Sequence, residues 1–139
     1  MRIPVHAARL PIALLLAVLA SCFPPKRARP PLDPSQVSPG AGFSCTQQVG
    51  GTESFCHRSE AECVAFRHDL TRTQGAATTE CLHHDEAYCF VLEAVQSAAG
   101  TPIPAESQCY LTEPECGYGS DNYYRSSVGD RVTGCGLVR

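Results

Sequence analysis

Cysteine is the residue type with the most chemistry to offer in this sequence: nine occur among 139 residues, at positions 22, 45, 56, 63, 81, 89, 109, 116 and 135. Thiols can bridge, bind metal or exchange disulfides. No Cys-x-x-Cys pair, the frame of a thioredoxin-like exchanger, is present, and the cysteines beyond Cys22 are an even set at matched intervals. We therefore assign Cys45, Cys56, Cys63, Cys81, Cys89, Cys109, Cys116 and Cys135 to structural disulfides. His57, His68, His83 and His84, with Asp85 and Glu86, are of the types that hold transition metals. However, His-Glu-x-x-His is missing, and His83 and His84 would point to opposite faces of a strand. A solvated turn is the simpler reading, and no metal or cofactor is assigned. In Gly117-Tyr118-Gly119-Ser120-Asp121 the serine falls one residue late for Gly-x-Ser-x-Gly, so a glycine-rich turn is expected instead of a nucleophile elbow, and no enzyme activity is assigned. Tyr110, Tyr118, Tyr123 and Tyr124 cluster near one another, and tyrosine serves either recognition surfaces or core filling.

The elements that must position these residues emerge from an internal repeat. Cys56-His-Arg-Ser-Glu-Ala-Glu-Cys63 and Cys109-Tyr-Leu-Thr-Glu-Pro-Glu-Cys116 share Cys-x-x-Ser/Thr-Glu-x-Glu-Cys, and the next cysteine follows after 17 residues (Cys81) or 18 (Cys135). With the leading cysteines Cys45 and Cys89, the region divides into two four-cysteine modules, about 43–84 and 86–137. Ser59 and Thr112 are good helix N-caps with Glu62 and Glu115 three residues on, a capping box in each module. The first helix is expected over about 60–71, with Cys63, Phe66 and Leu70 at helical spacing. The second contains Pro114, Gly117 and Gly119 and is expected to be shorter or looser. Gly50-Gly51 separates two strand-like runs as the turn of a hairpin, which sets Cys45 opposite Cys56. A second hairpin is expected around His84-Asp85-Glu86, and Ala98 to Pro104 reads as an inserted loop. Each unit is strand, strand, helix, strand, giving an α+β fold with helices on a small, mostly antiparallel sheet.

Bridges within modules reduce the connectivities of eight cysteines from 105 to nine, and a common pattern in both halves leaves three. The short spacing from strand to helix favours Cys56–Cys63 and Cys109–Cys116, with Cys45–Cys81 and Cys89–Cys135 following. The hairpin register offers the rival pairing Cys45–Cys56 with Cys63–Cys81.

The N-terminus carries an address. Met1 to Arg9 holds two arginines and no acid, and Leu10 to Ala20 is apolar apart from Pro11, too short a run for the roughly 20 residues of a transmembrane helix. It ends in Leu19-Ala20-Ser21-Cys22, which resembles the lipobox of bacterial lipoproteins. The resemblance implies removal of residues 1–21, lipidation of Cys22 and a membrane anchor of two or more acyl chains; an ordinary secretory peptide with Cys22 in a disulfide is the alternative. Phe23 is not the aspartate that retains many such proteins at the inner membrane, so the outer membrane is expected. Residues 22–42 hold six prolines and read as an extended stalk of up to roughly 60 Å, with Lys26, Arg27 and Arg29 near the lipid. Residues 43–139 then form the displayed domain, which resembles uncharacterised cysteine-repeat lipoproteins and secreted proteins of high-GC Gram-negative bacteria in architecture and address only. After cleavage, nine Lys plus Arg face fourteen Asp plus Glu; this acidity argues against a nucleic-acid partner. The expectation is a non-enzymatic envelope binding module for an unknown ligand, with a structural envelope protein as runner-up and an enzyme of unrecognised class third.

Overall fold

The computed structural model of the chain describes residues 28–96, 99–125 and 131–139; the leader, the lipobox and Cys22 lie outside them. A 3-10 turn at Pro34–Gln36 precedes strands β1 (Phe43–Gln47) and β2 (Ser54–His57), helix α1 (Glu60–Gln74) and strand β3 (Leu82–His84). Then come β4 (Ala87–Leu92), a short ribbon of β5 (Val95–Gln96) and β6 (Pro102–Ile103), β7 (Glu106–Tyr110), α2 (Glu113–Arg125) and β8 (Gly136–Val138). This is a small disulfide-rich α+β fold. Strand, strand, helix, strand occurs twice, and the second half carries the β5–β6 ribbon where a plain loop was expected.

Local chemistry explains the starts and stops. Gly50, at φ +78°, supplies the left-handed residue of the first turn, and the resulting register pairs Cys45 with Cys56. Both capping boxes close. Ser59 Oγ accepts from Glu62 N while Ser59 N donates to the Glu62 carboxylate, and Thr112 with Glu115 repeats the exchange. Gly75, at φ +65°, ends α1 as a left-handed cap. Helix α2 runs 13 residues despite Gly117 and Gly119, so the segment expected as a glycine-rich turn is helical. Its buried face, including Cys116, Gly119 and Ser120, supplies tertiary contacts that outweigh the propensity cost of two glycines.

Six strands form one sheet in the order β3-β1-β2-β7-β4-β8, and every recorded pair is antiparallel. The halves therefore meet at β2 and β7, through Cys56 opposite Cys109. The hairpin expected around His84-Asp85-Glu86 does not form. β3 pairs with β1, and β4 pairs with β7 and β8. Yet His84 and Ala87 are three residues apart, at most about 11 Å, while four strand spacings in a flat sheet would separate them by about 19 Å. The sheet must curl. Phe43, Cys45, Cys56, Cys109, Cys89, Ala87, Val91 and Val138 form one buried cluster inside the curl, and the helices cover the other face through Phe55, His57, Phe90 and Tyr110.

This alternation of faces decides the disulfides. The bridges are Cys45–Cys56, Cys63–Cys81, Cys89–Cys109 and Cys116–Cys135, all within a half. The Cys56–Cys63 and Cys109–Cys116 preference is thus overturned in favour of the rival pairing. Successive strand residues face opposite ways: Phe55 and His57 meet α1 through Phe66, so Cys56 faces away from the helix that carries Cys63. Cys45 and Cys56 are directly opposed at 4.1 Å between α-carbons, as are Cys89 and Cys109. The two bridges sit side by side across four strands.

The stalk also needs correction. Val37 is 3% exposed and lies in the inner cluster with Leu32 against it. Gly134 N donates to Pro30 O, and Arg58 donates to the carbonyls of Ser38, Gly40 and Gly42 while lying over the Phe43 ring. Arg29 donates to Ser120 and Asp121 on α2 and sits 4.8 Å from the Tyr124 ring centroid. Residues 29–42 are a strap, tied to α2 by Arg29 and laid on the inner face of the sheet where Leu32 and Val37 cover apolar surface. Residues 29–42 therefore belong to the packed domain, which does not begin at 43.

Candidate functional site

The structure disperses most of the residues with chemical potential. His68 is exposed on α1, His83 and His84 lie on the edge strand β3, and His57 lies on β2 beneath Phe66. His83 approaches Asp85 at 3.5 Å in an exposed pair. Among the described residues, no group of three or more His, Cys, Asp or Glu side chains could hold a metal ion. Ser120 is fully buried and its Oγ donates to the Thr133 carbonyl while Arg29 donates to it, a structural role at the helix–strap junction.

The tyrosines, by contrast, converge. Tyr110 at the end of β7, Tyr118 and Tyr123 on α2, and Phe55 on β2 line a groove of about 540 Å³, closed by Pro114, Gly119 and Asn122 and rimmed by Thr52, Glu53 and Glu115. Tyr110 forms the floor: it is 8% exposed, with ring centroids 6.1 Å from Phe90 and 6.3 Å from Phe55. Tyr118 is 63% exposed on the wall. Tyr124, the fourth member of the sequence cluster, instead packs with Arg29.

The groove exists because of one residue. Three positions beyond the helix cysteine, α1 carries Phe66, which lies 4.9 Å from both Phe55 and His57 and fills the space above β2. The matching position of α2 is Gly119, and a Cβ there would come within 2.6 Å of the Tyr110 hydroxyl. Tyr110 occupies that space, buried against the α2 backbone, and the groove opens beside it between Phe55 and Tyr118, whereas in the first half Phe66 closes over Phe55 and His57. Sequence reasoning identified the tyrosines but not Phe55 or Gly119. The signal was available in the aligned repeats, as glycine against phenylalanine.

Electrostatically the groove is negative. The Glu115 carboxylate is held by Ser54 N and Oγ and by Thr112 N and Oγ1, at 2.8 to 3.1 Å. Ser54 is fully buried and its Oγ also accepts from Leu111 N at 2.8 Å, so this residue of the first half locks the start of α2 in the second. Burial, with the nearby Tyr123, Glu53 and Glu115, pushes the Tyr110 hydroxyl up to about 12, which keeps it a neutral donor. Among the described residues, no lysine, arginine or histidine lines this groove.

A smaller cavity of about 130 Å³ lies against His57, Arg58 and Glu62 of the first half and Ser107 of the second. The His57 Nε2 atom is buried without a hydrogen-bond partner among the described residues. Burial lowers the pKa of His57, offset in part by Glu62. Four disulfides place the domain in an oxidising, extracytoplasmic setting, and among the described residues no helix is long and apolar enough to cross a membrane. Compared with protein-family models, with curated proteins and with solved structures, the chain matches none.

Proposed function

We propose that this chain is a lipid-anchored, non-enzymatic binding module of the cell envelope, and that the aromatic groove between α2 of its second half and β2 of its first is the binding site. The observation that carries the reading is Gly119 standing where the first half has Phe66: a filled, structural half beside an opened one. We read the two halves as an internal duplication. Once copied, one unit can keep the scaffold while the other gives up packing for a cleft of the size and aromatic character that small ligands and side chains use. Disulfides supply the rigidity that such a site needs.

Leu19-Ala20-Ser21-Cys22 supports the anchor. With the strap seated on the domain from residue 29, seven residues (22–28) separate it from the lipid, a covalent reach of at most about 25 Å. The domain is thus held close to the outer membrane rather than on a long stalk. Replacing Cys22 by serine removes the sulfur that a thioether requires, so Cys22→Ser is expected to abolish lipid labelling and release the protein from membranes; retained labelling and fractionation overturns the anchor. For the groove, a photo-cross-linking amino acid at position 118 is expected to give discrete adducts in intact envelopes, and the same group at exposed position 49 is not. Adducts at neither position, or equally at both, overturn the groove as the site.

A further inference from the structure

Resting on the groove being a binding site, its chemistry narrows what it takes. We propose that it receives a cationic side chain, the guanidinium or ammonium head of an arginine- or lysine-bearing peptide segment. Four aromatic rings line the groove, and faces of tyrosine and phenylalanine attract cations through the ring quadrupole. Two carboxylates, Glu53 and Glu115, stand at the rim, and among the described residues no cation in the lining balances them. Anionic ligands are therefore repelled.

The carboxylates favour a cation over the other natural occupant of an aromatic cleft, a sugar. Glu115 accepts four hydrogen bonds from Ser54 and Thr112, three at Oε2 and one at Oε1, which fix its charge in place and spend most of its acceptor capacity. A neutral sugar would leave the charges of Glu53 and Glu115 unbalanced, whereas a cation balances them. The aliphatic stem of arginine or lysine would lie along Tyr118 and Pro114, and Asn122 and Glu53 could take the donors of the head.

The test uses the full chain in detergent, titrated with a glycine-flanked arginine pentapeptide, the same peptide carrying uncharged citrulline, and chitotetraose, and read by backbone amide shifts. Saturable binding of the arginine peptide is expected. Citrulline is expected to weaken it about tenfold, equivalent to about 1.4 kcal/mol and within the range of a partly desolvated cation over aromatic rings. Tyr118→Ala and Glu53→Gln, both at exposed positions, are each expected to reduce affinity while leaving the thermal midpoint unchanged. Equal affinity for the citrulline peptide, or no effect of either variant, overturns the proposal. Tyr118-dependent binding of chitotetraose without binding of the arginine peptide overturns the cation and keeps the groove as a binding site, whereas cross-linking at neither position removes both.

Discussion

Two glycines of one helix provide a controlled experiment. Gly117 and Gly119 both lie inside α2, where replacing glycine by alanine ordinarily stabilises by about 1 kcal/mol. A Cβ on Gly117 would meet nothing within 4 Å, so Gly117→Ala is expected to raise stability by about that amount. A Cβ on Gly119 would sit 2.6 Å from the Tyr110 hydroxyl and 2.9 Å from its ring carbon Cζ. Tyr110 cannot move away cheaply, since Phe90 and Phe55 pack against its ring. Overpacking of this kind costs about 1 to 3 kcal/mol. Gly119→Ala should thus combine the same gain with that loss, for a net destabilisation of about 0 to 2 kcal/mol, and the two variants should differ by the overpacking cost alone. Thermal unfolding followed by circular dichroism, with disulfides intact, reads the difference as a separation of midpoints of roughly 4 °C or more. Amide shifts of the Tyr110 surroundings should change in Gly119→Ala and not in Gly117→Ala. Equal stabilisation by both variants would refute the packing of Tyr110 on Gly119, and with it the account of why the groove is there.

Non-reducing peptide mapping is expected to return Cys45–Cys56, Cys63–Cys81, Cys89–Cys109 and Cys116–Cys135, and the Cys45→Ala, Cys56→Ala pair should lower stability by about 3 kcal/mol for its short loop; a bridge joining the halves contradicts the topology. Burial lowers His57 below its ordinary value of 6.5, so the unfolded chain takes the proton first. Stability is then complete above about pH 6.5 and falls as the pH drops towards the folded value; His57→Phe, which keeps an aromatic ring beside Phe66, should flatten that slope in denaturant titrations at pH 5 to 7.5, and an unchanged slope would remove His57 as its source. Ser54→Ala leaves Leu111 N–H without its acceptor and takes a donor from Glu115, so a loss of about 2 to 4 kcal/mol is expected in urea unfolding; a loss under 0.5 kcal/mol would show that the contact between halves lies elsewhere. Arg29→Ala removes the contacts of the strap with Ser120, Asp121 and Tyr124 and should speed limited proteolysis between residues 28 and 42 without unfolding the sheet; unchanged cleavage would mean that Val37, Leu32 and the hydrogen bonds of Pro30 and Arg58 hold the strap without Arg29.

What the sequence determined by itself was local. The Ser59–Glu62 and Thr112–Glu115 boxes were readable because both partners lie within one helical turn. The Cys45–Cys56 register was readable because a glycine pair sets it over a short loop. The matched cysteine intervals carried the two-unit organisation and confined the bridges to each half. Tertiary structure decided whatever depended on which face a residue turned to and what lay across from it. Cys56 sits seven residues from Cys63 but on the opposite side of the sheet from the helix, so nearness in sequence misled. β3 and β4, almost contiguous in the chain, belong to different ends of a curled sheet, because each finds its hydrogen-bond partner within its own half. Val37, one apolar residue among prolines, carries no periodic signal, and only the uncovered inner face of the sheet makes it core. Gly119 stands in the sequence as a weak helix residue. Its meaning, a missing side chain that lets Tyr110 pack against α2 and floor the groove, required the ring of Tyr110 to arrive from β7.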